Sequence, residues 1–134
     1  MIGADGKRAA APMRVLVVDD DAMMREALSE TLVDAGFDVL HSASNGEEGV
    51  ALAEQLAPDA ILLDLRMAGI DGLETCRRIR TVAPGAHVVI LSAYDEPGLR
   101  RQATDSGATG YVVKGSPPDR IFEALRGGTQ SRSA

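Results

Sequence analysis

Five side chains in this 134-residue sequence could do chemistry together: the acids Asp19, Asp20 and Asp64, the hydroxyl of Ser92 and the amine of Lys114. Each follows an apolar run. Arg14 to Val18 leads into Asp19 and Asp20, the run from Ala60 climbs to Asp64, His87 to Leu91 ends at Ser92, and Gly110 to Val113 ends at Lys114. Taken singly, these are ordinary turn and capping residues. Taken together, they are three negative charges against one positive. Carboxylates ionise near pH ~4; crowded together they repel and take up protons unless a cation intervenes. A divalent cation beside Lys114 brings the cluster to neutrality. Oxygen ligands without His or Cys suit Mg²⁺, which binds through a few carboxylates plus phosphate. A carboxylate can also act as a nucleophile and form an aspartyl-phosphate. The metal and Lys114 would then balance the phosphoryl charge while Ser92 donates to an oxygen, which is catalysis by positioning and neutralisation.

These residues meet only if their strands lie side by side. The pattern between them says that they do. From Ala22 the apolar residues Met24, Ala27, Leu28, Leu32 and Ala35 recur at helical spacing, with Asp21 as N-cap and Gly36 as the stop. Phe37 to Ala43 reads as a second strand, Ser44, Asn45 and Gly46 as a turn, and Glu47 to Leu56 as a second helix. Gly72 to Val82 is a third helix, with Leu73, Cys76, Ile79 and Val82 inward. Pro97 to Ser106 is a weaker fourth. Ser116 and Asp119 form a capping-box-like pair at the start of a fifth, whose inward residues are Ile121, Phe122 and Leu125 and which ends at Gly127 and Gly128. Strands alternating with helices imply an α/β fold with a parallel sheet covered on both faces. The near-continuous apolar strands agree with that burial. In such a sheet all strand C-terminal ends share one edge, and a 2-1-3-4-5 order makes strands one and three neighbours there.

Composition narrows the function further. The formal charge is −6 and the pI about 4.8, which argues against nucleic-acid or membrane binding by this domain. The single cysteine, Cys76, excludes an internal disulfide and a multi-cysteine zinc site. No apolar run approaches the ~20 residues of a membrane span. No signal peptide follows Lys7 and Arg8, so a cytoplasmic location is expected. Of 14 basic residues 12 are arginine, which singles out Lys114 as a position suited to a compact ammonium. Residues 1–13 read as a disordered extension, 14–127 as one domain and 128–134 as a tail or truncated linker.

Four motifs in order, VVDDD (Val17–Asp21), LLDLRMAGIDG (Leu62–Gly72), ILSAY (Ile90–Tyr94) and GYVVK (Gly110–Lys114), resemble those of response-regulator receiver domains, the phosphoacceptor half of bacterial two-component signalling. The resemblance covers about Arg14 to Arg126. It implies the flavodoxin-like, doubly wound (βα)5 fold with order 2-1-3-4-5. It implies Asp64 as the phosphorylated residue, and Mg²⁺ held by Asp19, Asp20, Asp64 and the backbone carbonyl of Arg66. It implies Ser92 as the switch hydroxyl, Lys114 as the phosphate-pairing lysine and Tyr111 as an aromatic that turns inward on activation. A histidine kinase or an acyl phosphate would be the donor. The face of helix four, strand five and helix five would be reshaped for a homodimer or a downstream partner, and through it transcription.

Two departures are visible. Met67-Ala68-Gly69 stands where the family commonly has Met-Pro-Gly. Gly115 follows Lys114 where proline is common, which resembles receivers that carry a LuxR-type helix-turn-helix output. Arg66 and Tyr94, each two residues past a site residue, are expected to flank the phosphate and obstruct water. His41 and His87 read as structural or surface residues, Cys76 as core, and Arg77, Arg78 and Arg80 as a solvated helix face. Two other functions stay open: a Mg²⁺-dependent phosphohydrolase with an aspartyl-phosphate intermediate, and a receiver-like scaffold that is never phosphorylated. The position where haloacid-dehalogenase-type enzymes place a general acid is Arg66, which argues against the hydrolase.

Overall fold

The computed structural model describes residues 11–67 and 69–127. Most of the expected extension (1–10), Ala68 of the loop, and Gly128 with the tail after it lie outside the described residues. The elements are β1 (Arg14–Val18), α1 (Ala22–Asp34), β2 (Asp38–Ala43), α2 (Gly46–Leu56), β3 (Ala60–Asp64), α3 (Gly72–Val82), β4 (His87–Ser92), α4 (Pro97–Asp105), β5 (Gly110–Val113) and α5 (Pro118–Leu125). All strand pairs are parallel, in the order β2-β1-β3-β4-β5.

Strand periodicity divides the core in two. Leu16, Val18, Ile61, Leu63, Val88 and Ile90 point to one face and pack with Ala53 of α2, Cys76 and Ile79 of α3 and Ala103 of α4. Val15, Val17, Leu62, Val89, Leu91 and Val112 point to the other and pack with Leu32 of α1 and Ile121, Ala124 and Leu125 of α5. Every residue of β3 is buried, as the central strand of a sheet covered on both sides must be. Met13 already belongs to the fold: its side chain packs on the second cluster and its carbonyl accepts from Asp38 N at 2.9 Å.

The helix starts carry their caps. Asp21 accepts from the amides of Met23 and Met24, Asn45 from Glu48 and Asp71 from Glu74. The Asn45 cap starts α2 at Gly46, one residue before the expected start. The Ser116–Asp119 box does not form. Pro117 is the N-cap of α5, one residue past Ser116, and its side chain has no acceptor to cap with; the Ser116 amide, which Asp119 would have accepted from, donates instead to Val113 O at 3.1 Å. Three further expectations are corrected. Ala27 is exposed, so the inward stripe is narrower and runs through Leu28 and Leu32 to Ala35 just past the end of α1. Phe37 precedes β2; it is buried against Phe122 at 5.7 Å, with Arg126 stacked at 4.5 Å. Arg80 is not part of a solvated face, since its guanidinium donates to the carbonyls of Pro84 and Ala86 and holds the turn into β4. Arg77 and Arg78 do stay exposed, pairing with Glu74.

Helix α2 ends on Ala57 in the left-handed region (φ 47°, ψ 60°). Arg14 secures that end by donating to Ala57 O and Leu56 O, each at 2.7 Å. An L-residue held there costs roughly 1–2 kcal/mol, which glycine avoids at some expense in unfolded-state entropy. Ala57→Gly is therefore expected to stabilise the domain by about 1 kcal/mol, read as a higher midpoint in denaturant titration.

Candidate functional site

The site forms where β1, β3, β4 and β5 leave the core. Val18 pairs with Leu63, so the residues after it, Asp19 and Asp20, meet Asp64 at the end of the neighbouring strand. Carboxylate oxygens of the three acids lie within 4.8 Å of one another. Asp64 pairs with Leu91, which places Ser92 one step further along the next strand. Lys114 enters because its amide donates to Ser92 O at 2.7 Å, which locks the exit of β5 to the end of β4. Its Nζ lies 3.1 Å from Asp64 Oδ1.

Asp19 and Ser92 are each 1% exposed and Asp64 7%, whereas Asp20 faces outward. Burial pushes the Asp64 carboxyl above the ordinary carboxylate range; the hydrogen bond and charge of Lys114 and the Arg66 amide oppose this, and Asp20 adds to it. Burial likewise raises Asp19, opposed by the Asp21 amide and reinforced by Asp64. The Asp21 amide donates to Asp19 Oδ1 at 2.9 Å, while Asp19 Oδ2 is buried with no hydrogen-bond partner among the described residues. A buried anionic oxygen without a donor is costly. An oxygen-seeking cation is the group that would satisfy it, and the all-carboxylate donor set fits a hard divalent ion.

The loops around the acids are held tightly. The Gly72 amide donates to Leu65 O at 2.9 Å, and a Cβ at Gly72 would lie 2.6 Å from Asp64 O. Ser92 Oγ accepts from the Tyr94 amide at 3.0 Å, which leaves its proton to donate elsewhere. At the rim, the Arg66 guanidinium sits 4.6 Å over the Tyr94 ring. Tyr111 is half-buried and its hydroxyl donates to Tyr94 O at 2.7 Å.

The structure thus brings Asp19, Asp20, Asp64, Ser92 and Lys114 to one strand edge, with Arg66 and Tyr111 at its border. Two residues that sequence reasoning passed over also belong here. Arg25 donates to Asp19 O at 2.8 Å from α1, and Arg100 stacks 4.7 Å over the Tyr111 ring. Neither has a sequence signal: Arg25 is the single arginine of α1 and Arg100 one of an adjacent pair in α4, and nothing in their spacing marks a partner on another element. His41 is exposed, with Nδ1 at 2.9 Å from Ser42 O, and His87 packs at the far end of the sheet beside Gly127. Cys76 is buried and its thiol is pushed up to about 11 by that burial.

Comparison with known proteins shows the family and the fold. Residues 15–126 match the family described as the response regulator receiver domain. The nitrate/nitrite response regulator NarP of Escherichia coli is 37% identical over 122 residues, 90% of this chain and 57% of that protein. The chemotaxis protein CheY of Thermotoga maritima is 35% identical over 112 residues, 84% of this chain and 93% of that one. Among solved structures, a CheX–CheY–BeF3–Mg²⁺ complex from Borrelia burgdorferi matches with a TM-score of 0.80 at 26% identity, covering 92% of each chain. The chain therefore belongs to the receiver domains of two-component response regulators, and its fold is theirs.

Proposed function

We propose that this domain accepts a phosphoryl group on Asp64 in a Mg²⁺-dependent reaction, with a histidine kinase or a small acyl phosphate as donor. The observation that carries this reading is the buried carboxylate of Asp64, paired to Lys114 and within 4.8 Å of two further acids. An Asp64 oxygen attacks phosphorus. The bond from phosphorus to the donor's nitrogen or acyl oxygen breaks, and the leaving group keeps the electron pair. Lys114 orients the nucleophile beforehand and pairs with a phosphoryl oxygen afterwards. Ser92 donates its free proton to another oxygen. Asp19, Asp20, Asp64 and the Arg66 carbonyl would hold Mg²⁺, which supplies positive charge to the phosphoryl oxygens when bound.

Arg66 and Tyr94 form a lid over this chemistry by their stack. The double variant Arg66→Asn, Tyr94→Ala is expected to shorten the phosphoryl half-life about tenfold, the loss of ~1.4 kcal/mol of water exclusion and stacking; an unchanged half-life refutes the lid. The signal leaves through the face of α4, β5 and α5. There a groove of ≈ 400 Å³ is lined by Asp95, Arg100, Tyr111, Ser116, Arg120 and Glu123. A second copy of the chain or a downstream transcriptional output would read that face. No described helix is long and apolar enough to cross a membrane.

Intact mass after incubation with acetyl phosphate and Mg²⁺ tests the reading. One stable phosphoryl adduct is expected. Rapid multiple-turnover phosphate release would instead favour the phosphohydrolase, and no adduct with any donor would favour the scaffold.

A further inference from the structure

The Arg66–Tyr94 stack at the rim of the site continues, through Tyr111, to Arg100 and Asp95, which the chemistry above does not use. Tyr94 is held at three points: its ring by Arg66 at 4.6 Å, its carbonyl by the Tyr111 hydroxyl at 2.7 Å, and its amide on Ser92 Oγ at 3.0 Å. The second of these depends on where the Tyr111 ring lies. That ring carries the Arg100 guanidinium 4.7 Å over its centre, and Arg100 Nε in turn donates to Asp95 Oδ1 at 2.8 Å. Asp95 and Arg100 straddle the start of α4, whose N-cap Glu96 makes no side-chain capping bond. The ion pair is exposed, 46% and 61% at the two side chains, so it adds little to global stability. What it fixes is direction, because a planar guanidinium pinned along one edge can lie flat on a ring.

We propose that Arg100 is a positioning residue: stacked on Tyr111 and pinned by Asp95, it keeps the Tyr111 hydroxyl on the Tyr94 carbonyl and thereby holds the Tyr94 amide on Ser92. This rests on the phosphoacceptor reading only for its consequence in the reaction. The placement itself is a property of the unphosphorylated protein. A lysine at position 100 supplies charge without the flat fork and does part of the work. A methionine keeps the stem and does none of it.

Tyr94 and Tyr111 are the only tyrosines and the chain has no tryptophan, so tyrosine ring resonances report these two rings alone. NMR of the unphosphorylated full chain is the first readout. Arg100→Met is expected to shift the Tyr111 ring resonances and to speed Tyr94 amide exchange about two- to fivefold, the range an exposed cation–π contact supports, with Arg100→Lys intermediate. The second readout is adduct formation with acetyl phosphate and Mg²⁺, expected to slow by a similar factor in Arg100→Met. In a Tyr111→Phe background Arg100→Met should add nothing, because the hydroxyl it positions is gone. Unmoved Tyr111 resonances and Tyr94 exchange in Arg100→Met overturn the proposal, as does an equal slowing in the Tyr111→Phe background. If the parent takes up no phosphoryl group, the phosphoacceptor reading fails, while a shifted Tyr111 ring and faster Tyr94 exchange still support the placement.

Discussion

Asp64→Asn is expected to abolish the phosphoryl adduct completely while leaving the fold intact. The amide oxygen of Asn carries no negative charge and cannot attack phosphorus, so the loss is of the reaction itself rather than of affinity. Folding should not suffer, because burial already disfavours the Asp64 carboxylate, and a neutral side chain of the same shape removes a charge that Asp20 repels. Metal-free Asp64→Asn should therefore melt no lower than the parent. Lys114→Ala separates positioning from nucleophilicity. It keeps the attacking oxygen, loses the 3.1 Å ion pair, and is expected to slow adduct formation on the order of 10²-fold, the scale of removing one charge-stabilising group. Intact mass over a time course reads all three proteins. Adduct formation on Asp64→Asn at the parent's rate would remove Asp64 from its assigned role.

Mg²⁺ is expected to stabilise the folded domain by about 2.7 kcal/mol at a hundredfold excess over its dissociation constant, on the order of 10 °C in melting temperature for a domain of this size. The sign follows from the acids. Asp19 and Asp64 both have their folded-state affinity for protons raised, chiefly by burial. The folded state then binds more protons than the unfolded one just above the ordinary value of 3.8. Metal-free stability from these groups is greatest below that value and falls as pH rises through the raised values. Mg²⁺ needs the deprotonated carboxylates, so its stabilisation grows across the same window. Melting curves with Mg²⁺ and with chelator, near neutral pH and again near pH ~4, should show a large difference at the first and a small one at the second. Asp19→Asn should shrink the Mg²⁺ effect and also relieve the unpartnered Asp19 Oδ2. Equal melting temperatures with and without Mg²⁺ near neutral pH would remove the metal from the proposal.

The sequence by itself determined what is local or periodic. Apolar runs of strand length, a helix cap such as Asp21, and a chemical residue after each of four strands are all written within short windows. A parallel sheet then gathers those strand ends on one edge whatever the details of packing, which is why Asp19, Asp20, Asp64, Ser92 and Lys114 could be named together before any coordinates. Tertiary structure decided what depends on distances across the chain. That Asp64 is buried and Asp20 exposed follows from which strands and loops cover them, although both are acids at strand ends. Arg80 turned inward because the backbone turn at Pro84 and Ala86 offered two carbonyls, while Arg77 and Arg78 found Glu74 on their own helix. The Ser116–Asp119 box satisfied a local rule and lost to the turn that ends β5. Arg100 on Tyr111 and Arg66 on Tyr94 obey no sequence period. Stacking energies of about 1 kcal/mol are settled by where loops and helix ends come to rest, and those positions exist only once the sheet has assembled.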